Sequence, residues 1–281
     1  MDEMVFTMAT VEDEETSTER PAKNRKKSKA DNALEKFALA TVSKKIDGLK
    51  AEFASLKAFT PQKTDQTAFA ANKGRNRYNN VPCYDATRVV LKFGVPPEVD
   101  YIHANYVKTT LCELENKYIC TQGPMDATVN DFWRMVWQEK PRSIIMLCKL
   151  VEGGKPKCAQ YFPGKTNFGV PASGMGMLRI LRQVRDLPNS TAIVHCSAGV
   201  GRTGTMVACE ICLKILLEGK DLNPVDVIKE MRTQRAGAVQ TEGQYVYLHK
   251  TLLEYINAKK IAKDKIAEFF TVYKTYQKKA V

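Results

Sequence analysis

Between residues 31 and 56 apolar side chains return every three or four positions: Leu34, Phe37, Ala38, Val42, Ile46, Leu49 and Phe53. That spacing places them on one helical face, so the stretch predicts helices that pack on a main domain. Residues 57–80 are polar and lysine-rich. Beyond them short β-type runs stand at 89–91, 101–107, 118–120 and 143–147. A helix carrying Phe132, Trp133, Met135, Val136 and Trp137 falls between the last two. Ala192, Ile193 and Val194 form one more apolar run, followed by helical patterns over 205–217, 224–234 and 245–259. A lysine-rich amphipathic helix is predicted over 261–280, and no internal repeat is visible. Strands and helices alternate irregularly, which predicts an α/β domain with a central mixed, twisted sheet flanked by helices.

The ends differ in composition from this middle. An acidic patch (Glu12, Asp13, Glu14, Glu15) is followed by a basic one (Lys23, Arg25, Lys26, Lys27, Lys29). Such a segment has too little apolar surface to offset the entropy of ordering, and it reads as a disordered, solvated arm in preference to a nuclear import signal. The expected organisation is an arm at 1–30, one domain at 31–260 and a basic C-terminal helix at 261–281. The 281 residues, 44% hydrophobic, suffice for one good-sized core. The longest apolar runs are far shorter than a membrane span and the N-terminus is acidic, so neither a transmembrane segment nor a signal peptide is expected. Eight cysteines without framework spacing read as reduced thiols, in the cytoplasm or also the nucleus. A formal charge of +12 fits basic tails or an acidic partner, and charge alone does not choose among phosphopeptide, membrane surface and nucleic acid.

The chemistry concentrates in residues 194–205, which read VHCSAGVGRTGT. A strand ends in His195 and Cys196, a loop of small residues follows, and Arg202, Thr203 and Gly204 open a helix. Backbone amides from Ser197 to Arg202 turned inward, beside a helix N-terminus, favour a thiolate at Cys196. Ser197, Ala198, Gly199, Val200 and Gly201 form the cradle, and its small members let the amides converge on one anion. Arg202 offers a planar fork for two phosphoryl oxygens, which lysine does not. Thr203 can donate its hydroxyl to the sulfur when the thiolate departs, and His195 orients the cysteine backbone. A nucleotide P-loop is the competing cradle, but its Gly-Lys-Ser/Thr ending is absent.

With these residues the chain resembles the protein-tyrosine phosphatases in their non-receptor-like form, from about residue 31 to 260. Asn76-Arg77-Tyr78, with Tyr84-Asp85 and Arg88, is similar to that family's phosphotyrosine-recognition loop. Asp100-Tyr101-Ile102, Thr121-Gln122-Gly123-Pro124 and the run from Asp131 through Trp137 look like its core motifs. Lys157-Cys158-Ala159-Gln160-Tyr161-Phe162-Pro163 and Gln240-Thr241-Glu242-Gly243-Gln244-Tyr245 match two more. The resemblance implies that Cys196 is the nucleophile of a phosphocysteine intermediate and that Arg202 stabilises the transition state. It implies that Tyr78 stacks on the substrate ring, that Gln240 and Gln244 place the hydrolytic water, and that Glu152 orients Arg202. Partners would be phosphotyrosine-containing proteins or peptides, with no nucleic acid. The chain would act as a monomer, with no metal or other cofactor, because Arg202 and the amides meet the phosphoryl oxygens.

The chain departs from that pattern in three places. The family closes a loop reading Trp-Pro-Asp, one variable residue and Gly-Val-Pro over the substrate, and its aspartate protonates the leaving oxygen. Here Phe168-Gly169-Val170-Pro171 keeps the second half, but Lys165-Thr166-Asn167 replaces the first. The acid position is Asn167, whose amide is no general acid. Only Gly164 separates Pro163 from this loop, so several tens of residues of sheet are missing relative to the family, and an exposed sheet edge is expected. Asn80 stands where the family commonly has an aspartate that bonds the substrate backbone. General acid catalysis contributes ~10²–10⁴-fold. The sequence therefore predicts a slow phosphotyrosine phosphatase, with an impaired phosphotyrosine-binding module as the alternative. Cys209 and Cys212, one turn apart in an apolar helix, read as core, as do the other five cysteines. Trp133 and Trp137 read as core anchors, and His103 and His249 as structural.

Overall fold

The computed structural model describes residues 27–62, 64–163 and 173–279. The acidic patch, most of the basic patch and Asn167 with its flanking Gly-Val-Pro run lie outside the described residues. The first helix, α1 (Lys29–Ser55), begins two residues before the sequence pattern placed it. Ser28 explains the start: its hydroxyl accepts from Asp31 N while the Asp31 carboxylate accepts from Ser28 N, a reciprocal cap. A break at Lys45 (φ 54°) lets both halves bury their apolar face. The lysine-rich stretch holds a short helix, α2 (Thr67–Ala71), and a 3-10 turn, Lys73–Arg75.

The strands and helices that follow are β1 (Arg88–Val90), β2 (Tyr101–Val107), β3 (Lys117–Thr121), α3 (Val129–Glu139) and β4 (Ser143–Met146). A two-stranded hairpin, β5 (Val151–Glu152) with β6 (Lys155–Pro156), and α4 (Gly174–Arg185) come next, neither legible in the pattern. The chain ends with β7 (Thr191–His195), α5 (Gly201–Leu217), α6 (Pro224–Gln234), α7 (Glu242–Ala258) and α8 (Lys263–Lys279).

Among the described residues the main sheet runs β1-β2-β3-β7-β4. The β1–β2 and β2–β3 pairs are antiparallel, and β7 lies parallel between β3 and β4. This is the mixed sheet flanked by helices that the alternation predicted. All five residues of β7 are buried, as suits a parallel strand covered on both faces. The register Thr121↔His195 and Met146↔His195 brings three carboxyl ends together, where α/β sheets hold their ligands.

Two expectations are corrected. β4 ends the sheet, yet Ser143, Ile144, Ile145 and Met146 are all buried, the last three within the central core. Among the described residues the exposed edge lies at the other end of the sheet, on β1, where Val90 is 39% exposed. Trp133 packs on the core and donates Nε1–H to Tyr161 O at 3.1 Å, but Trp137 is 72% exposed. Four residues rotate a helix about 40° beyond a full turn, which at the last turn of α3 carries Trp137 past the rim of the core. Cys209 and Cys212 are fully buried in α5, and His103 and His249 are buried too.

Candidate active site

β7 delivers Cys196 to the sheet's carboxyl end with 3% exposure. Gly199 N donates to Cys196 Sγ at 3.2 Å, so the loop wraps back over its own sulfur. The loop carbonyls face the other way, each held by an outside donor. Ser197 O accepts from Gly123 N, Ala198 O and Gly199 O accept from Arg235, and Val200 O accepts from Gly204 N and Val239 N. With its acceptors drawn outward, the loop leaves its amides for an anion. Gly199 sits at φ +69°, and a Cβ there would collide with the Thr121 carbonyl, so the bend is open to glycine alone.

Arg202 leaves the first turn of α5. Its guanidinium donates to both Glu152 oxygens, at 2.6 and 2.8 Å, a fork fixed by the β5–β6 hairpin. Arg202 holds the Glu152 carboxyl below the usual carboxylate range. His195 is fully buried, with Nε2 2.8 Å from the Tyr161 hydroxyl and Nδ1 3.3 Å from Cys196 O. A carbonyl only accepts, so Nδ1 donates there, which leaves Nε2 to meet the Tyr161 hydroxyl. Burial pushes the Tyr161 hydroxyl up, keeping it a donor. Thr203 Oγ1 is buried and makes no hydrogen bond here.

Tyr78 reaches the site because Arg77 is pinned, through N to Gln122 Oε1 and through its guanidinium to Gly123 O and Pro124 O. The Tyr78 hydroxyl lies 2.8 Å from Ser197 Oγ. A pocket of about 370 Å³ gathers Tyr78, Asn80, Cys196, Ser197, Ala198, Gly201, Arg202, Gln240 and Gln244. Gly199, Val200, Thr203, His195 and Glu152 do not line it. The Gln244 side chain caps α7, its Oε1 accepting from Gln240 N and Thr241 N.

Sequence reasoning missed Arg235, and it named Lys157 and Tyr161 only as motif letters. No local pattern marks a fully buried arginine, and Lys157 lines the pocket only because the hairpin turns it there.

The family model described as protein-tyrosine phosphatase matches residues 72–168 and 166–254, two pieces that meet beside the Pro163–Gly164 junction. The chain is 32% identical over 275 residues to tyrosine-protein phosphatase non-receptor type 9 of Mus musculus, covering 74% of this chain and 46% of that protein. It is 33% identical over 287 residues to receptor-type tyrosine-protein phosphatase eta of Mus musculus, covering 82% of this chain and 23% of that protein. The chain belongs to the protein-tyrosine phosphatase family. It spans less than half the length of these two relatives.

Proposed function

We propose that this chain hydrolyses phosphotyrosine on proteins or peptides through a cysteinyl-phosphate intermediate, and does so slowly. The observation that carries the reading is the Arg202 fork, locked onto Glu152 beside a thiol that its own loop encircles. Cys196 attacks phosphorus, Arg202 and the loop amides share the charge on the equatorial oxygens, and Tyr78 sets the depth that admits a tyrosine phosphate. Gln240 and Gln244 place the water that releases phosphate. Asn167 at the acid position makes departure of the tyrosine oxygen the slow step. No metal or cofactor enters this scheme. The partners are phosphotyrosine proteins met by a monomer in the cytoplasm or also the nucleus, and nucleic acid is not among them.

The test compares an aryl phosphate of an acidic phenol with a phosphotyrosine peptide, with acid quenching to trap phosphocysteine. The aryl phosphate turns over faster, and phosphocysteine on Cys196 is found by mass spectrometry. Equal, fast turnover of both removes the slow step from the reading. Asn167 also favours a second reading, a module that shelters phosphotyrosine sites. Peptide binding with one burst of phenol and no steady turnover selects it.

A further inference from the structure

Resting on that reading, we propose that Lys157 is a catalytic residue that hands a proton to the departing tyrosine oxygen. Among the described residues lining the pocket there is no carboxylate. Arg202 does not give up a proton, Cys196 is the nucleophile, and the Tyr78 hydroxyl is engaged with Ser197. Among the described lining residues Lys157 is the remaining cation able to give up a proton, and its ammonium makes no hydrogen bond or ion pair with a described residue.

Its backbone is fixed against the nucleophile. Lys157 N donates to Leu150 O at 2.7 Å, and Ala159 N donates to Pro124 O at 2.7 Å. A Cβ built on Gly123 would meet Lys157 O at 2.7 Å and Cys196 O at 2.8 Å, so the two backbones converge on one glycine. The hairpin that sets Lys157 is the one that carries Glu152 to Arg202. After Arg202 and the Lys149 amide, the Lys157 charge also helps to hold the Glu152 carboxyl low.

An ammonium can give up a proton to a departing oxyanion, which a guanidinium does not. An ammonium is a weaker acid than a carboxyl and gains less rate as a proton donor. The S–P bond forms as the P–O bond breaks, and the electron pair leaves on the tyrosine oxygen, which takes the proton from Lys157 Nζ. The neutral amine then takes a proton from water as that oxygen attacks phosphorus. The S–P bond breaks, Cys196 departs as thiolate, phosphate is released, and Lys157 is again an ammonium.

The test is a series of aryl phosphates, from acidic phenols to a phosphotyrosine peptide, cleaved by wild type, Lys157→Met and Lys157→Arg. Unchanged thermal midpoints establish that the variants fold. Lys157→Met lowers kcat/KM roughly 10–100-fold on the peptide but within about threefold on the most acidic phenol, and Lys157→Arg does not rescue. An equal loss across the series makes Lys157 a phosphate-binding cation, full rescue by arginine makes its charge sufficient, and no loss makes it irrelevant; each overturns the proposal. Wild type that releases phosphate from no ester overturns the phosphatase reading itself, before any variant is compared.

Discussion

The Arg235 guanidinium donates to the Gly199 carbonyl at 3.0 Å from a site with no solvent exposure. Its other nitrogens reach Ala198 O at 2.9 Å, Asn105 Oδ1 at 2.7 Å and His103 Nδ1 at 3.0 Å. Burial, then the Arg235 charge, pushes the His103 ring down to about 3, so a neutral ring can accept from Arg235 while Nε2 faces Val81 O. Among the described residues, neutral acceptors thus satisfy a buried cation, which holds two carbonyls of the cysteine loop away from the anion.

Arg235→Met leaves four acceptors, three of them buried and Ala198 O partly so, without their arginine donor. It lowers the unfolding free energy by about 2–4 kcal/mol and weakens inorganic phosphate binding more than tenfold. Chemical denaturation and titration calorimetry read the two effects. Phosphate affinity equal to wild type in a folded variant would show that the loop holds its shape unaided.

Gly199→Ala forces a methyl group into the Thr121 carbonyl at a positive φ. The expected outcome is a loss of more than ~2 kcal/mol and no detectable phosphate binding. A thermal scan with and without phosphate shows it, through a lowered midpoint that phosphate no longer raises.

Glu152→Gln removes one charge from the Arg202 fork and weakens phosphate binding roughly tenfold. The wild-type pair has the sign of a depressed carboxylate. Its contribution is fully present above the usual glutamate value of about 4.3 and is lost as pH falls through the lower folded value. Phosphate affinity therefore shows no step from this pair between about pH 5 and 8. A step in that window that the variant lacks would contradict the pairing.

Glu210 has the opposite sign. Burial of this α5 side chain outweighs the pull of Arg185 at 2.7 Å and pushes its carboxyl up to about 7. Its contribution is fully present below about pH 4.3 and fades as pH rises through about 7, a change of roughly 4 kcal/mol at about 1.4 kcal/mol per unit. Glu210→Gln flattens this slope, so the variant matches wild type near pH 4 and is the more stable of the two by pH 8. Parallel stability curves from pH 4 to 8 would show that Glu210 ionises as an exposed glutamate does.

Local patterns carried the larger elements because their periods survive in sequence. Leu34 to Phe53 mark α1, and the apolar run before His195 marks β7. The hairpin at Val151–Glu152 and Lys155–Pro156 escaped, since two-residue strands have no period to read. The helix Gly174–Arg185 escaped with its two early glycines, and Trp137 was misplaced because spacing does not say where the core ends.

By itself the sequence determined the anion cradle. Cys196, the small loop residues and Arg202 lie within seven consecutive positions, so strand, bend and helix N-terminus build it by short-range geometry. Only the tertiary structure decided what holds the cradle in shape. Arg202 meets Glu152 across 50 residues, Gly199 meets Arg235 across 36 and His195 meets Tyr161 across 34. Those partners converge through the parallel register at His195 and the path of the hairpin, which arise from packing many separate segments at once and leave no mark on any one of them.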